Sequence, residues 1–201
     1  MTLGIAAQSV SQASGTETSP DSEFLDYQCQ CHSSPEPFVG AGEFPAPERS
    51  FGPSQFLDHE IPYARFIYSL DLRYIFPIEV IRPHRARRGS VRNGLPPESL
   101  WEYMAETLQV ADEIRSRLGS PMLRINSAYR NFAYNAACRG SATRSYHIQN
   151  CALDLVYRAG PWAATKVARD LRSEGLFRGG IGVYRTFLHL DTRGHNADWR
   201  G

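Results

Sequence analysis

Three residues of types that bind metal ions lie in or beside two predicted strands. His147 and Asp154 are seven positions apart in SYHIQNCALDL, and His189 lies in TFLHLD. Asp154 belongs to an apolar run, and burial of an unpaired carboxylate costs several kcal/mol, so it needs a cation, hydrogen-bond donors or a metal ion. Two imidazoles and one carboxylate with a fourth position open form a catalytic zinc shell.

The alternation of side chains along a strand predicts that these residues share a face. In TFLHLD, the leucines alternate with His189 and Asp191, which point the other way. In CALDLVY, Asp154 shares its face with the small Ala152, which leaves room for a bulky group. Two adjacent strands would therefore offer Asp154 and His189 on one face, with His147 in the loop just before.

The same residues also have simpler interpretations. A histidine at the start of a loop usually lies at the surface or makes one hydrogen bond, and Asp154 could cap a turn or pair with an arginine. On that interpretation the protein is a structural domain without a site. The remaining histidines lie in polar or Pro/Gly-rich surroundings and are predicted to be structural or solvent-facing: His32, His59, His84 and His195.

The elements that must position these residues form an irregular series of helices and strands. Apolar residues at spacings of three and four predict a long helix between Pro97 and Gly119. The other predicted elements are strands over 122–129 and 151–157, a short helix over 131–140, a helix over 161–175 and a hairpin-like pair of strands over 179–194. Because no regular βαβ order is present, we expect an α+β fold, with helices flanking a small antiparallel sheet.

Length and composition fit one domain with appendages. The chain has 201 residues, of which 42% are hydrophobic and 21% are charged. Residues 1–23, rich in Ser, Thr, Gln and Gly, are predicted to be a disordered leader. Residues 24–64 mix aromatics with Pro and Gly and predict an irregular arm. The candidate site then belongs to a domain over residues 65–201.

Charge and hydropathy limit the partners. The formal net charge of +1 argues against a general nucleic-acid binder. No stretch approaches the roughly 20 apolar residues of a membrane span. The N-terminal MTLGIAAQSVSQASG has a short apolar piece but no basic region, so it is a weak match to a signal peptide.

Four cysteines permit disulfides without requiring them. Cys29 and Cys31 are too close in sequence to pair comfortably with each other. Cys138 and Cys151 flank the loop before the candidate site, and a disulfide bond between them would fix the two ends of that loop together. Free, mostly buried thiols are an equally good interpretation.

The segment INSAYRNFAYNAACRGSATRSYHIQNCALDL, followed by GGIGVYRTFLHLDTRG, resembles the zinc D-alanyl-D-alanine carboxypeptidases and their murein endopeptidase relatives. That family shares the fold of the Hedgehog signalling domain. The similar pattern is S-x-Y-R, then S-x-H-x-x-G-x-A-x-D, then a glycine-rich turn and a strand with the last histidine. It covers about residues 122–199, and SLDLRYIFPIEVIRPHRARRG is similar to one bacterial branch of the family.

The resemblance implies roles for individual residues and a zinc peptidase-like catalytic domain over 65–201. It implies that Zn²⁺ is held by His147, Asp154 and His189. Arg130 matches the arginine that faces the substrate and polarises its scissile carbonyl, and Ser145 matches the small residue before the first ligand. The cation that Asp154 needs would then be the zinc ion.

Two positions depart from the family pattern. Asn150 stands where the family has glycine, and Asn is the non-glycine residue that best tolerates a positive φ. Thr186 stands where many members place an acid three residues before the last ligand. Asp191 is the nearest acid, and we expect it to serve as the general base; the alternative role is to orient His189.

The resemblance implies metal-assisted hydrolysis of bacterial peptidoglycan peptides that contain D-amino acids, by a carboxypeptidase or a crosslink endopeptidase. Such an enzyme would be a monomer in the cell envelope (periplasm) or secreted. The alternative is a non-catalytic cell-wall-binding module on the same fold, with Thr186 as the sign of lost activity. The joint presence of Arg130 and the three ligand-type residues argues against this alternative.

Overall fold

The computed structural model describes residues 52–201. The predicted leader over 1–23 and the predicted arm as far as residue 51 lie outside this range, and so do Cys29, Cys31 and His32. The described end of the arm forms short 3-10 turns at Pro53–Gln55 and Asp58–Glu60. These turns lead directly into the first α-helix.

The described residues form α-helices that pack around one apolar core. The helices are α1 Ile61–Ser69, α2 Pro77–Ile81, α3 Glu102–Leu118, α4 Phe132–Ala137 and α5 Pro161–Ser173. Two further 3-10 turns cover Arg82–Arg85 and Glu98–Leu100. No helix among residues 52–201 combines the length and the apolar composition that a membrane span requires.

Helix α3 is the long helix that the sequence predicts. Met104, Leu108 and Ile114 recur on one face and are fully buried, so this face packs into the core. The helix ends at Gly119, whose φ of 57° lies in the left-handed region that glycine adopts without a Cβ clash. The predicted helix over 161–175 is likewise confirmed, since α5 has Pro161 in its first turn.

Seven strands form two sheets in the described part of the chain. The strands are β1 Arg87–Arg88, β2 Val91–Arg92, β3 Met122–Ser127, β4 Ala152–Tyr157, β5 Gly180–Val183, β6 Leu188–Asp191 and β7 Ala197–Arg200. Strands β1 and β2 form a small antiparallel hairpin, and the larger sheet has the order β3-β4-β6-β5-β7. Its strands pair antiparallel except for β7, which runs parallel to β5.

The observed fold is α+β with helices flanking the sheet, as the sequence predicts. The predicted hairpin over 179–194 is confirmed by the antiparallel pair β5 and β6. The sequence did not predict the parallel edge strand β7, which makes the larger sheet mixed. Strand β4, which lies between β3 and β6, is buried along its whole length, with Leu153 and Leu155 in the core.

Candidate metal centre

Strand pairing brings the three ligand-type residues together. Asp154 in β4 lies directly opposite His189 in β6, and His147 lies in the turn just before β4. One ligand atom of each residue lies within 4.8 Å of the others. All three side chains are buried, with exposed fractions of 2% for His147, 5% for Asp154 and 8% for His189. The prediction that Asp154 and His189 share a face is therefore confirmed.

The two carboxylate oxygens of Asp154 have different neighbours. Oδ1 lies 2.8 Å from Nδ1 of His189 and 3.3 Å from Nε2 of His147. Oδ2 accepts a hydrogen bond of 2.7 Å from Nη2 of Arg130. The ion pair with Arg130 already compensates the charge of the buried carboxylate through Oδ2. The two imidazoles at Oδ1 therefore indicate that this oxygen has a separate function, such as metal binding.

The outer nitrogens of both imidazoles face hydrogen-bond acceptors. Nδ1 of His147 lies 2.7 Å from the carbonyl oxygen of Ala128, and Nε2 of His189 lies 3.0 Å from Oδ2 of Asp191. A carbonyl and a carboxylate can only accept, so the ring nitrogen that faces each of these groups carries a hydrogen, and the other nitrogen of each ring faces Asp154. This arrangement, with a carbonyl or carboxylate behind each histidine, is typical of metal ligands, so the donor set fits a zinc ion.

The electrostatics favour a cation between these side chains. Burial opposes the charge of Asp154, but His147 and His189 hold the pKa of its carboxyl well below the ordinary value. Burial lowers the pKa of His147, which keeps this ring neutral. Although burial opposes it, hydrogen bonds to Asp154 and Asp191 raise the pKa of His189. Asp154 and His147 are therefore held in the ionised and neutral forms that bind metal ions, whereas a metal ion bound by His189 would have to replace the proton that Asp154 and Asp191 favour on this ring.

The turn that carries His147 ends at Asn150. Its φ of 58° confirms that asparagine adopts the left-handed conformation at the position where the family pattern has glycine. The Asn150 side-chain amide donates to the carbonyl oxygen of Leu100 at 2.8 Å. The backbone N–H of Arg130 donates to the carbonyl oxygen of His147 at 3.0 Å. These bonds tie the turn to two neighbouring segments and so hold His147 beside Asp154.

Arg130 lies beside the cluster with its guanidinium held at two points. Nε donates to Oγ of Ser127 at 2.7 Å, and Nη2 donates to Asp154 at the same distance. The side chain is 14% exposed and lines the cleft that opens over the cluster. Arg130 is therefore positioned to contact a molecule that enters this cleft.

Asp191 lies behind His189 and away from the cleft. It is fully buried and does not line the cleft wall. Its oxygens accept hydrogen bonds from the backbone of Gly180 at 3.0 Å and from Nε of Arg193 at 2.7 Å, in addition to His189. Although burial opposes it, the bonds from Arg193 and His189 lower the pKa of Asp191. This geometry suits the orientation of His189 better than proton transfer with a molecule in the cleft.

The cleft over the cluster has a volume of about 660 Å³ and an aromatic wall. Asp154 is the one carboxylate among the described residues that line the cleft. Thr186 does not line the cleft and lies in an exposed bend between β5 and β6. Trp199 of β7 lies against His189, with ring centroids 5.2 Å apart, and its Nε1 donates to the hydroxyl of Tyr184 at 3.0 Å. The residues described around the cleft therefore offer aromatic surface but no second acid.

Sequence analysis missed Trp199 and Arg193 as site residues. The guanidinium of Arg193 stacks on Tyr146 at 4.0 Å and on Trp199 at 5.1 Å from the ring centroids. The signal that could have found Trp199 is Gly182, because a Cβ there would lie 2.5 Å from atoms of the indole ring. The glycine is required by the close approach of this aromatic residue to the sheet.

Among residues 52–201, the other cysteines and histidines do not belong to the ligand cluster. Cys138 and Cys151 are free thiols, and Cys138 lines the cleft. His59 and His195 are exposed, as predicted. His84 is 3% exposed and packs against Tyr63 and Tyr129. His59 and His195 therefore face solvent, and His84 is a structural residue of the core.

Comparison with known proteins gives one match. A family model described as Peptidase M15 matches residues 78–191, which is more than half of the chain and includes all three ligand-type residues. Comparisons with curated proteins and with solved structures found no match.

Proposed function

Because the chain belongs to the peptidase M15 family, we propose that it is a zinc metallopeptidase that hydrolyses peptide bonds of bacterial peptidoglycan. Membership of this family makes a metallopeptidase the expected class of enzyme. The observation that carries the proposal is the convergence of His147, Asp154 and His189 on one buried point below an open cleft. Each histidine has an acceptor behind it, as metal-binding histidines do.

These three residues would hold the metal ion, and Arg130 would act beside it. A zinc ion bound there would polarise the scissile carbonyl and lower the pKa of the attacking water to roughly 7. Arg130 holds a positive charge at the cleft wall next to Asp154, where it can stabilise the negative oxygen that develops during amide hydrolysis. Ser127 fixes the orientation of the guanidinium through its bond to Nε.

We assign Asp191 the role of a positioning residue. It accepts the hydrogen of His189 Nε2 and so directs Nδ1 toward Asp154. The alternative, in which Asp191 is the general base, requires its carboxylate to reach the cleft. Its full burial and its bonds to Arg193 and Gly180 argue against that movement.

The substrates proposed are peptides that contain D-amino acids, and the protein would act on them as a monomer. Removal of a terminal D-alanine and cleavage of a crosslink are both compatible with an open cleft of this volume. The test is hydrolysis of isolated peptidoglycan by the zinc-loaded protein, with and without a chelator. Release of D-alanine or of new peptide ends, abolished by the chelator, supports the proposal. Zinc-loaded, folded protein that releases neither product contradicts it.

A second candidate is a non-catalytic cell-wall-binding module. One observation favours it. Thr186 stands where many family members have an acid, and Asp154 is the one acidic residue among the described residues that line the cleft. Such a module would co-sediment with peptidoglycan but would leave it intact at any zinc concentration. Sedimentation and hydrolysis measured on one sample separate the two functions.

We also propose a location in the cell envelope or outside the cell, because the proposed substrate lies there. Fractionation of cells that express the protein from its natural start would find it in envelope or culture-medium fractions. Recovery from the cytoplasm alone would contradict this location without affecting the proposed activity.

A further inference from the structure

The cleft carries much more positive than negative charge. Its described lining includes a single carboxylate, Asp154, and the following five arginines: Arg88, Arg130, Arg139, Arg144 and Arg193. The formal net charge of the whole chain is only +1, so this surplus is a property of one surface. An excess of one sign at a cleft attracts ligands of the opposite sign.

Two of the five arginines are paired with buried carboxylates. Arg130 pairs with Asp154 at 2.7 Å, and Arg193 pairs with Asp191 at 2.5 Å. Both pairs lie close to the candidate metal centre. The other three arginines are exposed and lie at the outer part of the cleft.

The outer arginines come from two segments that pack together. Arg88 ends strand β1 of the small hairpin, and Arg139 and Arg144 lie in the loop after α4. Asn131, which caps α4, connects the two segments through bonds to Asn93 and to the carbonyl oxygen of Arg92. The hairpin is thereby fixed beside the loop, and the three cations form one rim.

The neighbours of Arg88 do not cancel its charge. The pKa of Arg88 is raised mainly by a hydrogen bond with the Tyr134 hydroxyl and to a smaller extent by the nearby Cys138 side chain. Tyrosine and cysteine side chains are mostly neutral at pH 7. Within residues 52–201, no carboxylate forms a salt bridge with Arg88 or Arg139. These two guanidinium groups therefore keep their charge for a ligand.

We propose that Arg88 and Arg139, at this rim, bind free carboxylates of an acidic peptide substrate. The inference rests on the proposed peptidase function, which makes a peptide the occupant of the cleft. The planar fork of a guanidinium matches a carboxylate and can form two parallel hydrogen bonds with it. Peptides with free carboxylates near the cleaved bond are thus preferred over the same peptides with amidated carboxylates.

The test uses two peptides of one sequence that contain D-amino acids. One peptide carries free side-chain carboxylates, and in the other these groups are amidated. Binding is measured by fluorescence anisotropy in the presence of a chelator, so that no hydrolysis occurs. We expect the free acid to bind the natural protein at least about 10-fold more tightly than the amide, the effect of one charged hydrogen bond.

The variants are Arg88→Gln, Arg139→Gln and the double variant, with Arg158→Gln as the matched control. Arg158 is exposed and lies outside the cleft lining. The double variant should lose most of the preference for the free acid, and the control should retain it. Equal binding of the two peptides by the natural protein would overturn the proposal. So would competition by inorganic polyphosphate as strong as that of the free acid, because the rim would then recognise charge alone.

Hydrolysis of both peptides by the zinc-loaded protein separates this proposal from the peptidase function. Cleavage of both peptides with equal kcat/KM overturns the acidic preference and leaves the peptidase function standing. A binding preference without cleavage of either peptide supports the rim and contradicts the peptidase function. A preference that appears in KM, with kcat unchanged, supports both.

Discussion

Asp154 and His189 face each other across the antiparallel strands β4 and β6, with Oδ1 and Nδ1 2.8 Å apart. Their neighbours in the same strands, Leu153 and Leu190, are paired in register and fully buried in the core. Because side chains alternate along a strand, the register that buries the leucines also brings the carboxylate to the imidazole. Core packing and the candidate metal centre therefore depend on the same strand pairing.

We predict one bound zinc ion per chain and its loss when a ligand is removed. His147→Ala and His189→Ala each delete an imidazole from the cluster and should abolish stoichiometric binding, as measured by elemental analysis of purified protein. His195→Ala is the matched control, because His195 is exposed and is not among the described residues that line the cleft. If the natural protein binds no metal ion under zinc-loading conditions, the ligand assignment is wrong.

We predict that Arg130→Lys keeps the zinc ion but lowers kcat/KM by roughly 100-fold or more, the usual effect of losing one transition-state contact. Lysine cannot bond to Ser127 and Asp154 through two separate nitrogens as the guanidinium does. Steady-state kinetics with parallel metal analysis provide the measurement, and Arg158→Lys is the control. Turnover close to that of the natural protein would place Arg130 outside the reaction.

We predict that Asp191→Asn lowers zinc affinity by about 10-fold to 100-fold, because His189 loses its carboxylate partner. Activity should then recover in excess zinc. If Asp191 were instead the general base, hydrolysis would fall by roughly 100-fold to 10,000-fold and added zinc would not restore it. Zinc titration followed by assay at saturation separates the two roles, and circular dichroism checks that the variant is folded.

We predict that His84 makes the protein less stable at acidic pH. Burial lowers the pKa of His84 to about 4, although the charge of Glu60 opposes this, against an ordinary value of 6.5. Between these values the unfolded chain binds more protons, so the stability present above pH 6.5 is lost as the pH falls toward 4. The contribution of this one residue is at most about 3 kcal/mol.

His84→Phe tests this directly, since a phenyl ring can pack between Tyr63 and Tyr129 without titrating. The free energy of unfolding is measured by urea denaturation from pH 7 to pH 4.5. The natural protein should lose more stability than the variant over this range. Parallel curves for the two proteins would show that the pKa of His84 is the same in the folded and unfolded states.

Local patterns in the sequence predicted much of the fold and of the site. The period of apolar residues located α3, and Gly119 marked its end. Alternation in CALDLVY and TFLHLD placed Asp154 and His189 on one face. These predictions succeeded because helix period, strand alternation and helix caps depend on residues only a few positions apart.

Contacts between residues that are far apart in the sequence could not be predicted in this way. Asp191 was a candidate base because strand alternation aligns it with His189, but alternation does not say that Arg193 and Gly180 would enclose its carboxylate. Trp199 was missed because β7 joins the sheet parallel to β5, a strand order that the residues of β7 do not reveal. Sheet order follows from the packing of the whole core.

The sequence by itself therefore determined the types of the ligand residues, the strand faces they occupy and the family to which the chain belongs. The tertiary structure decided that Arg130 pairs with one oxygen of Asp154 while two imidazoles approach the other. It also decided that Arg88 and Arg139 meet at one rim. The physical reason is that alternation and capping are local, whereas the neighbours of a buried charge are set by which strands and helices the core packs together.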